Sequence, residues 1–180
     1  MNTRQLNTAK EEAQTLIRRS GWVLTEQEWQ AFSVNDFGLG NVLMEGFAFV
    51  DLLRSPRLRT TLLVLLPKQT LPQHMHPPHE GDEGKEETIR VIHGQAKVYV
   101  PGPENNPNIL IPSGKEAYYT ARHEIPLDAG QQFTITPTTE HWFQGGRAGA
   151  VCLCVQNRVD ETKNIFADPR SLGCPIKLTD

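Results

Sequence analysis

The chain has 180 residues and a mass of 20.2 kDa, near the size of one domain with one core, and can bury about 70% of its unfolded surface. Eighteen Lys and Arg against 21 Asp and Glu leave a formal charge of -3, without the positive field that nucleic acid or an anionic membrane requires. The longest apolar run, around 62–66, is far short of the about 18 residues of a spanning helix, and MNTRQLNTAKEEAQ opens the chain without an apolar stretch, so a cytoplasmic protein is expected.

Leu6, Ala9, Ala13, Leu16 and Ile17 recur at three- and four-residue steps and predict an amphipathic helix that Gly21 would cap. Thr25 and Glu28 have capping-box spacing, which predicts a second, shorter helix with Trp29 and Phe32 on one face. Residues 1–32 carry four basic and four acidic side chains, a balance that suits a helical arm packed on the body rather than a DNA reader. From about residue 46 the pattern changes to FAFVDLL, RTTLLVLL, TIRVIHG, QAKVYV, the region around EIPL, QQFTITP and GAVCLCVQN. These β-type runs, punctuated by turns such as Pro101-Gly102-Pro103 and Gly145-Gly146, predict a sandwich or barrel over about 46–157. Residues 158–180 are expected to form an irregular surface tail of the same single domain. Cys152 and Cys154, in AVCLCV, are expected to be buried, inert thiols.

Two of the six histidines form His74-Met75-His76. In a strand, positions i and i+2 share a face, so both imidazoles can approach one ion at about 2.0 to 2.2 Å. The pair alone is weak evidence. Glu87, opening ETIRVIHG, and His141, closing TPTTEHWF, complete a set of three imidazoles and one carboxylate suited to a first-row divalent ion. The charge run EGDEGKEE reads by composition as a solvated loop. His79 and His93 lack motif partners and read as loop or surface residues, while Tyr118, Tyr119, Trp142 and Phe143 stay open between core packing and a sugar platform.

These residues resemble the cupin superfamily, whose first motif runs HxH, a loop, Glu, six residues and Gly. His74, His76, Glu87 and Gly94 stand in those places, with six residues between Glu87 and Gly94. Gly130, Pro137 and His141 match the second motif, although its usual Gly between Pro and His is missing. Ten residues separate His76 from Glu87, where most cupins have a shorter loop. That insert is itself similar to a narrower group: HMHPPHEGDEGKEET, YYTARHEIPLDAGQQFTI and TEHWFQ resemble the small bacterial D-lyxose ketol-isomerases of the Bacillus kind, over most of the chain from about residue 67. The resemblance implies a cupin double-stranded β-helix (jelly-roll) barrel with the N-terminal helices outside it. It also implies a divalent ion held by His74, His76, Glu87 and His141, most often manganese, with zinc, iron, cobalt or nickel as substitutes. The activity implied is aldose–ketose interconversion, of D-lyxose with D-xylulose and of related sugars such as D-mannose with D-fructose.

The chemistry of that reaction sets its own requirements. A hydrogen moves between C1 and C2, so charge developing on O1 and O2 needs an electrophile, and a base must abstract the C2 proton. Lys85, Glu86 and Glu124 are the candidates for proton transfer. In an extended approach Lys85 shares the parity of Glu87 and enters the pocket, whereas Glu86 points the other way. Glu124, acidic among β-type neighbours, asks for a polar partner. The same donor set supports a non-haem iron dioxygenase, and the same fold a non-catalytic sugar- or metal-binding cupin. The preferred aldose depends on loop contacts, and a homodimer burying an edge strand or the helical arm is expected.

Overall fold

The computed structural model describes residues 2–157 and 160–173. Helix α1 (Thr3–Ser20) starts at a capping box between Asn2 and Gln5 and ends at Gly21, whose φ of 74° is the left-handed conformation that a non-glycine residue resists. Helix α2 (Glu26–Ala31) opens on the Thr25–Glu28 capping box, and Trp29 meets Phe32 edge-on at 5.9 Å.

The rest is a nine-stranded curled sheet of β1 (Ser33–Asn35), β2 (Phe47–Arg54), β3 (Leu58–Leu65), β4 (Thr70–Met75), β5 (Glu87–Val100), β6 (His123–Asp128), β7 (Gln132–Ile135), β8 (His141–Asn157) and β9 (Ile165–Phe166). All the named strand pairs are antiparallel, and β5 and β8, the two longest strands, pair along most of their length. The barrel expected from the sequence is the architecture found.

Two apolar layers explain why the TLLVLL run does not alternate with polar residues. Leu62 and Val64 of β3 face outward and pack with Ala9, Ala13, Leu16 and Ile17 of α1, while Leu63 and Leu65 face inward with Ile89, Val91, Phe143, Cys152 and Cys154. A strand covered on both faces reads as a continuous hydrophobic run.

Three boundaries differ from the sequence expectation. TIRVIHG and QAKVYV form one strand, because Gly94 is a bulge rather than a turn. Its φ is 76°, and a Cβ there would collide with the carbonyl oxygen of Gly149 on β8. His141 opens β8, which starts well before GAVCLCVQN. The segment expected to be an irregular tail carries a 3-10 turn at Glu161–Lys163 and then β9, which pairs His74 with Phe166 and Met75 with Ile165. Residues 158, 159 and 174–180 of that segment lie outside the described residues.

Candidate active site

The β4–β8 register sets His74 directly opposite His141, and His76 follows just beyond the end of β4. All three are buried, with ring centroids 4.3 to 5.2 Å apart, and one ring nitrogen from each lies within 4.8 Å of the others. Their hydrogen bonds fix which nitrogen is free. Nδ1–H of His74 donates to the carbonyl of Pro72 and Nδ1–H of His141 to that of Thr139, each at 2.8 Å, since a carbonyl only accepts. Nδ1 of His76 lies 2.7 Å from Oδ1 of Asn164. The Nε2 atoms of His76 and His141 are buried with no hydrogen-bond partner among the described residues.

Burial, reinforced by the other two imidazoles, holds His74 well below the ordinary imidazole range. Burial and then His76 push His141 down to about 4. Both rings are therefore neutral near pH 7, the form that ligates a cation.

Beside the histidines stands a buried charged group. Lys85, 4% exposed, places Nζ 3.2 Å from Oε2 of Glu87 and 3.5 Å from both carboxylate oxygens of Glu161. Glu87 reaches toward His76, with Oε2 3.6 Å from Nε2, too long for a hydrogen bond. Burial opposes charge on Glu87, but the Lys85 ammonium and the neighbouring imidazoles outweigh it and keep the carboxyl well below the usual carboxylate range. Burial likewise opposes charge on Lys85, and Glu87 and Glu161 overcome it, so the amine stays an ammonium. Glu161 is held ionised against its burial, chiefly by Lys85 and a hydrogen bond from Asn164.

Lys85, Glu87 and Glu161, with His74, line a cavity of about 110 Å³ whose other wall is aromatic. Phe166 stacks on His74 at 5.4 Å, and Phe37, Phe47 and Phe49 continue the wall outward. The cavity shares Phe49, Arg59, Glu161 and Asn164 with an outer cleft of about 780 Å³, which supplies its approach from solvent.

Of the residues singled out in the sequence, the fold brings together His74, His76, His141, Glu87 and Lys85. Glu86 is exposed, its backbone N–H donating to Asn157. Glu124 is drawn elsewhere: its Oε2 accepts from Tyr99, Asn106 and Lys97, so the polar partners that an acidic strand residue needs come from its own neighbourhood. Tyr119 and Trp142 are core residues, the indole stacking on Tyr99 at 3.6 Å, and Phe143 lines the cavity. Cys152 and Cys154 are free and buried, and burial raises both thiols out of the reactive range. His79 lines the outer cleft beside Glu80. Sequence reasoning passed over Glu161, Asn164, Arg59, Gln156 and Phe166. None stands at a diagnostic spacing, and Glu161 and Asn164 lie in the polar segment assigned to the tail.

No family model matches the chain. Curated relatives do. The D-lyxose ketol-isomerase of Cohnella laeviribosi is 40% identical over 93% of this chain and 93% of its own length. The D-lyxose/D-mannose isomerase of Thermosediminibacter oceani is 39% identical over 92% of each, and a D-lyxose ketol-isomerase of Thermofilum sp. is 38% identical over 97% of this chain and 98% of its own length. Among solved structures, the L-ribose isomerase of Geodermatophilus obscurus superposes with a TM-score of 0.77 at 16% identity, covering 96% of this chain and 95% of that one. That of Acinetobacter sp. DL28 bound to L-ribose gives 0.74 at 17%, covering 95% and 94%. At such identity the structural likeness establishes the cupin-type barrel alone.

Proposed function

Since the chain belongs to the D-lyxose ketol-isomerase family, a family of sugar isomerases, we propose that it interconverts D-lyxose with D-xylulose and, by the same chemistry, D-mannose with D-fructose. The observation that carries this reading is the convergence of three buried imidazoles, two with Nε2 atoms unpartnered among the described residues, beside the Lys85–Glu87–Glu161 charges, which line one cavity together with His74. Orphaned lone pairs in a buried site are costly unless a ligand takes them, so these residues fit a divalent cation. His74, His76 and His141 would hold it with Glu87 as the fourth donor, Mn2+ being the ion of choice and Zn2+, Fe2+, Co2+ or Ni2+ able to replace it. Bound there, the ion would supply an electrophile for O1 and O2 of the open-chain sugar.

The chain's own residues move the protons. Aldose to ketose conversion carries the C2 hydrogen to C1 and the O2 hydrogen to O1. Of the three proton-transfer candidates from the sequence, Lys85 is the one in the cavity, and its neighbour there, Glu161, is the ionised carboxylate not needed as a ligand. Glu161 takes the C2 proton and returns it to C1, while the Lys85 ammonium protonates O1 and recovers its proton from O2, so the pair ends as it began. The aromatic wall covers the carbon skeleton and excludes water. The family relationship favours this over oxygen chemistry or passive binding.

Two free, buried cysteines suit a reducing, cytoplasmic setting. Exposed Leu53 and Val155, each in register with Thr60 of β3, suit a homodimer contact on that sheet face. The test is Mn2+-loaded protein incubated in D2O with a panel of aldoses and ketoses and resolved by chromatography. D-lyxose should yield D-xylulose carrying deuterium at C1. No D-xylulose would sink the activity, and D-xylulose without solvent deuterium would replace the Glu161 step by a hydride shift.

A further inference from the structure

His74 and His141 are each oriented by a backbone carbonyl two residues earlier, which no side-chain substitution removes. His76 is oriented by a side chain, the carboxamide of Asn164. A carboxamide can turn either its oxygen or its NH2 toward an imidazole, so it does not by itself choose a tautomer. The other end of Asn164 makes the choice. Its Nδ2 lies 2.9 Å from Oε2 of Glu161, and an ionised carboxylate only accepts. The NH2 is therefore committed to Glu161 and Oδ1 to His76, so Nδ1 of His76 must carry the proton and Nε2 must present its lone pair. Glu161 is anchored in turn, with Arg59 Nη1 at 3.1 Å and Gln156 Nε2 at 3.0 Å donating to Oε1.

We propose that the Glu161–Asn164 pair is a positioning relay that sets the tautomer of His76 for metal binding, which makes the C-terminal segment 160–166 a working part of the metal site. This rests on the divalent-ion reading above. Hydrogen-bond partners of ligating histidines orient the ring and raise its basicity, and losing one weakens metal binding by about 10- to 100-fold. Neither Asn164 nor this role of Glu161 calls for contact with the sugar.

The experiment measures free Mn2+ by electron paramagnetic resonance in titrations of the full chain, together with 15N spectra of histidine-labelled, metal-free protein, which distinguish an Nδ1–H from an Nε2–H ring. Asn164→Ala should bind Mn2+ about 10- to 100-fold more weakly and release His76 into a tautomer mixture. Asn164→Asp alone sets two carboxylates against each other and should also bind weakly. Asn164→Asp combined with Glu161→Gln should recover near wild-type affinity, because the amide introduced at 161 donates to the new carboxylate, whose second oxygen accepts from His76. That rescue separates a relay from mere packing, and it restores affinity without restoring turnover, since Glu161 is also the proposed base. The relay is overturned if Asn164→Ala binds Mn2+ like wild type, if the double variant stays as weak as Asn164→Asp, or if His76 of the wild type is the Nε2–H tautomer. A wild type that binds no Mn2+ overturns the metal reading instead, and its tautomer spectrum still decides the relay.

Discussion

Two buried polar networks flank β4, and they differ in one respect. In the first, Lys115 Nζ bridges Oε2 of Glu45 at 2.8 Å and Oδ2 of Asp168 at 2.9 Å, Tyr119 OH donates to the other Glu45 oxygen, and Arg170 grips both oxygens of Asp168. Each of these carboxylate oxygens has a donor. In the second, Lys85 pairs with Glu87 at 3.2 Å and with Glu161 at 3.5 Å, yet two imidazole nitrogens beside them have no hydrogen-bond partner among the described residues. An unsatisfied buried polar atom costs about 1 to 3 kcal/mol, so the first network is complete as a clamp and the second is complete only with a ligand. Richness in buried charge does not separate a clamp from a site; unspent bonding capacity does.

The largest expected break in this comparison comes from His141→Ala, which removes a donor from the incomplete network. It should cost roughly a thousandfold or more in turnover, about 4 kcal/mol, with loss of bound Mn2+ and an unchanged far-UV circular dichroism spectrum. Glu87→Ala should also release metal, whereas exposed Glu86→Ala should keep it; the opposite result, seen by metal analysis, would shift the carboxylate ligand by one residue.

Lys115→Met attacks the complete network. It leaves buried Glu45 without its cation and Asp168 with Arg170 alone, and should cost about 3 kcal/mol of unfolding free energy in urea, while turnover per folded molecule stays at the wild-type level. A loss of turnover in the folded fraction would mean that the clamp takes part in the chemistry.

Chelation should leave the barrel standing, because its two apolar layers form without the ion. EDTA should abolish activity and leave the far-UV spectrum nearly unchanged. Mn2+ returned at a hundred times its dissociation constant should restore turnover and add about 2.7 kcal/mol to stability, which is about 5 to 11 °C in melting temperature. Full activity after chelation would dismiss the ion, and outright unfolding would make it structural.

The sequence carried the parts of both fold and site that depend on local period or spacing. Helix ends were legible at Gly21 and Thr25 because caps are local, and His74 with His76 because a strand repeats every two residues. The inward turn of Lys85 followed from the same parity. What stayed hidden depends on distant chain returning. Glu161 and Asn164 sit in a short polar turn with no period, and they reach the site only because β9 adds to β4. Gly94 signals a turn locally, yet the β8 backbone pressed against it makes a bulge in a continuing strand. Glu124 looked like a catalytic acid among β-type neighbours, and the donors that make it a structural one come from elsewhere in the chain, Lys97 and Tyr99 from β5 and Asn106 from the loop after it.

The smallest expected effect sharpens the comparison through pH. Hydrogen bonds from Arg170, helped by Lys115, hold the Asp168 carboxyl below its ordinary value against a smaller opposing effect of burial. The folded state therefore binds fewer protons at this group than the unfolded state, whose aspartate titrates near about 3.9. Its contribution to stability is present in full above that pH and is lost as pH falls further toward the depressed folded value. Asp168→Asn cannot titrate, so the difference in unfolding free energy between wild type and variant should be constant from neutral pH down to about 5 and then shrink in more acidic solution. Arg170 is largely solvent-exposed, and salt should reduce the plateau through screening of that partner before it affects the buried Lys115 contact. Parallel curves for the two proteins across the acid range would mean that Asp168 is held by shape alone, and the complete network would then be no electrostatic clamp.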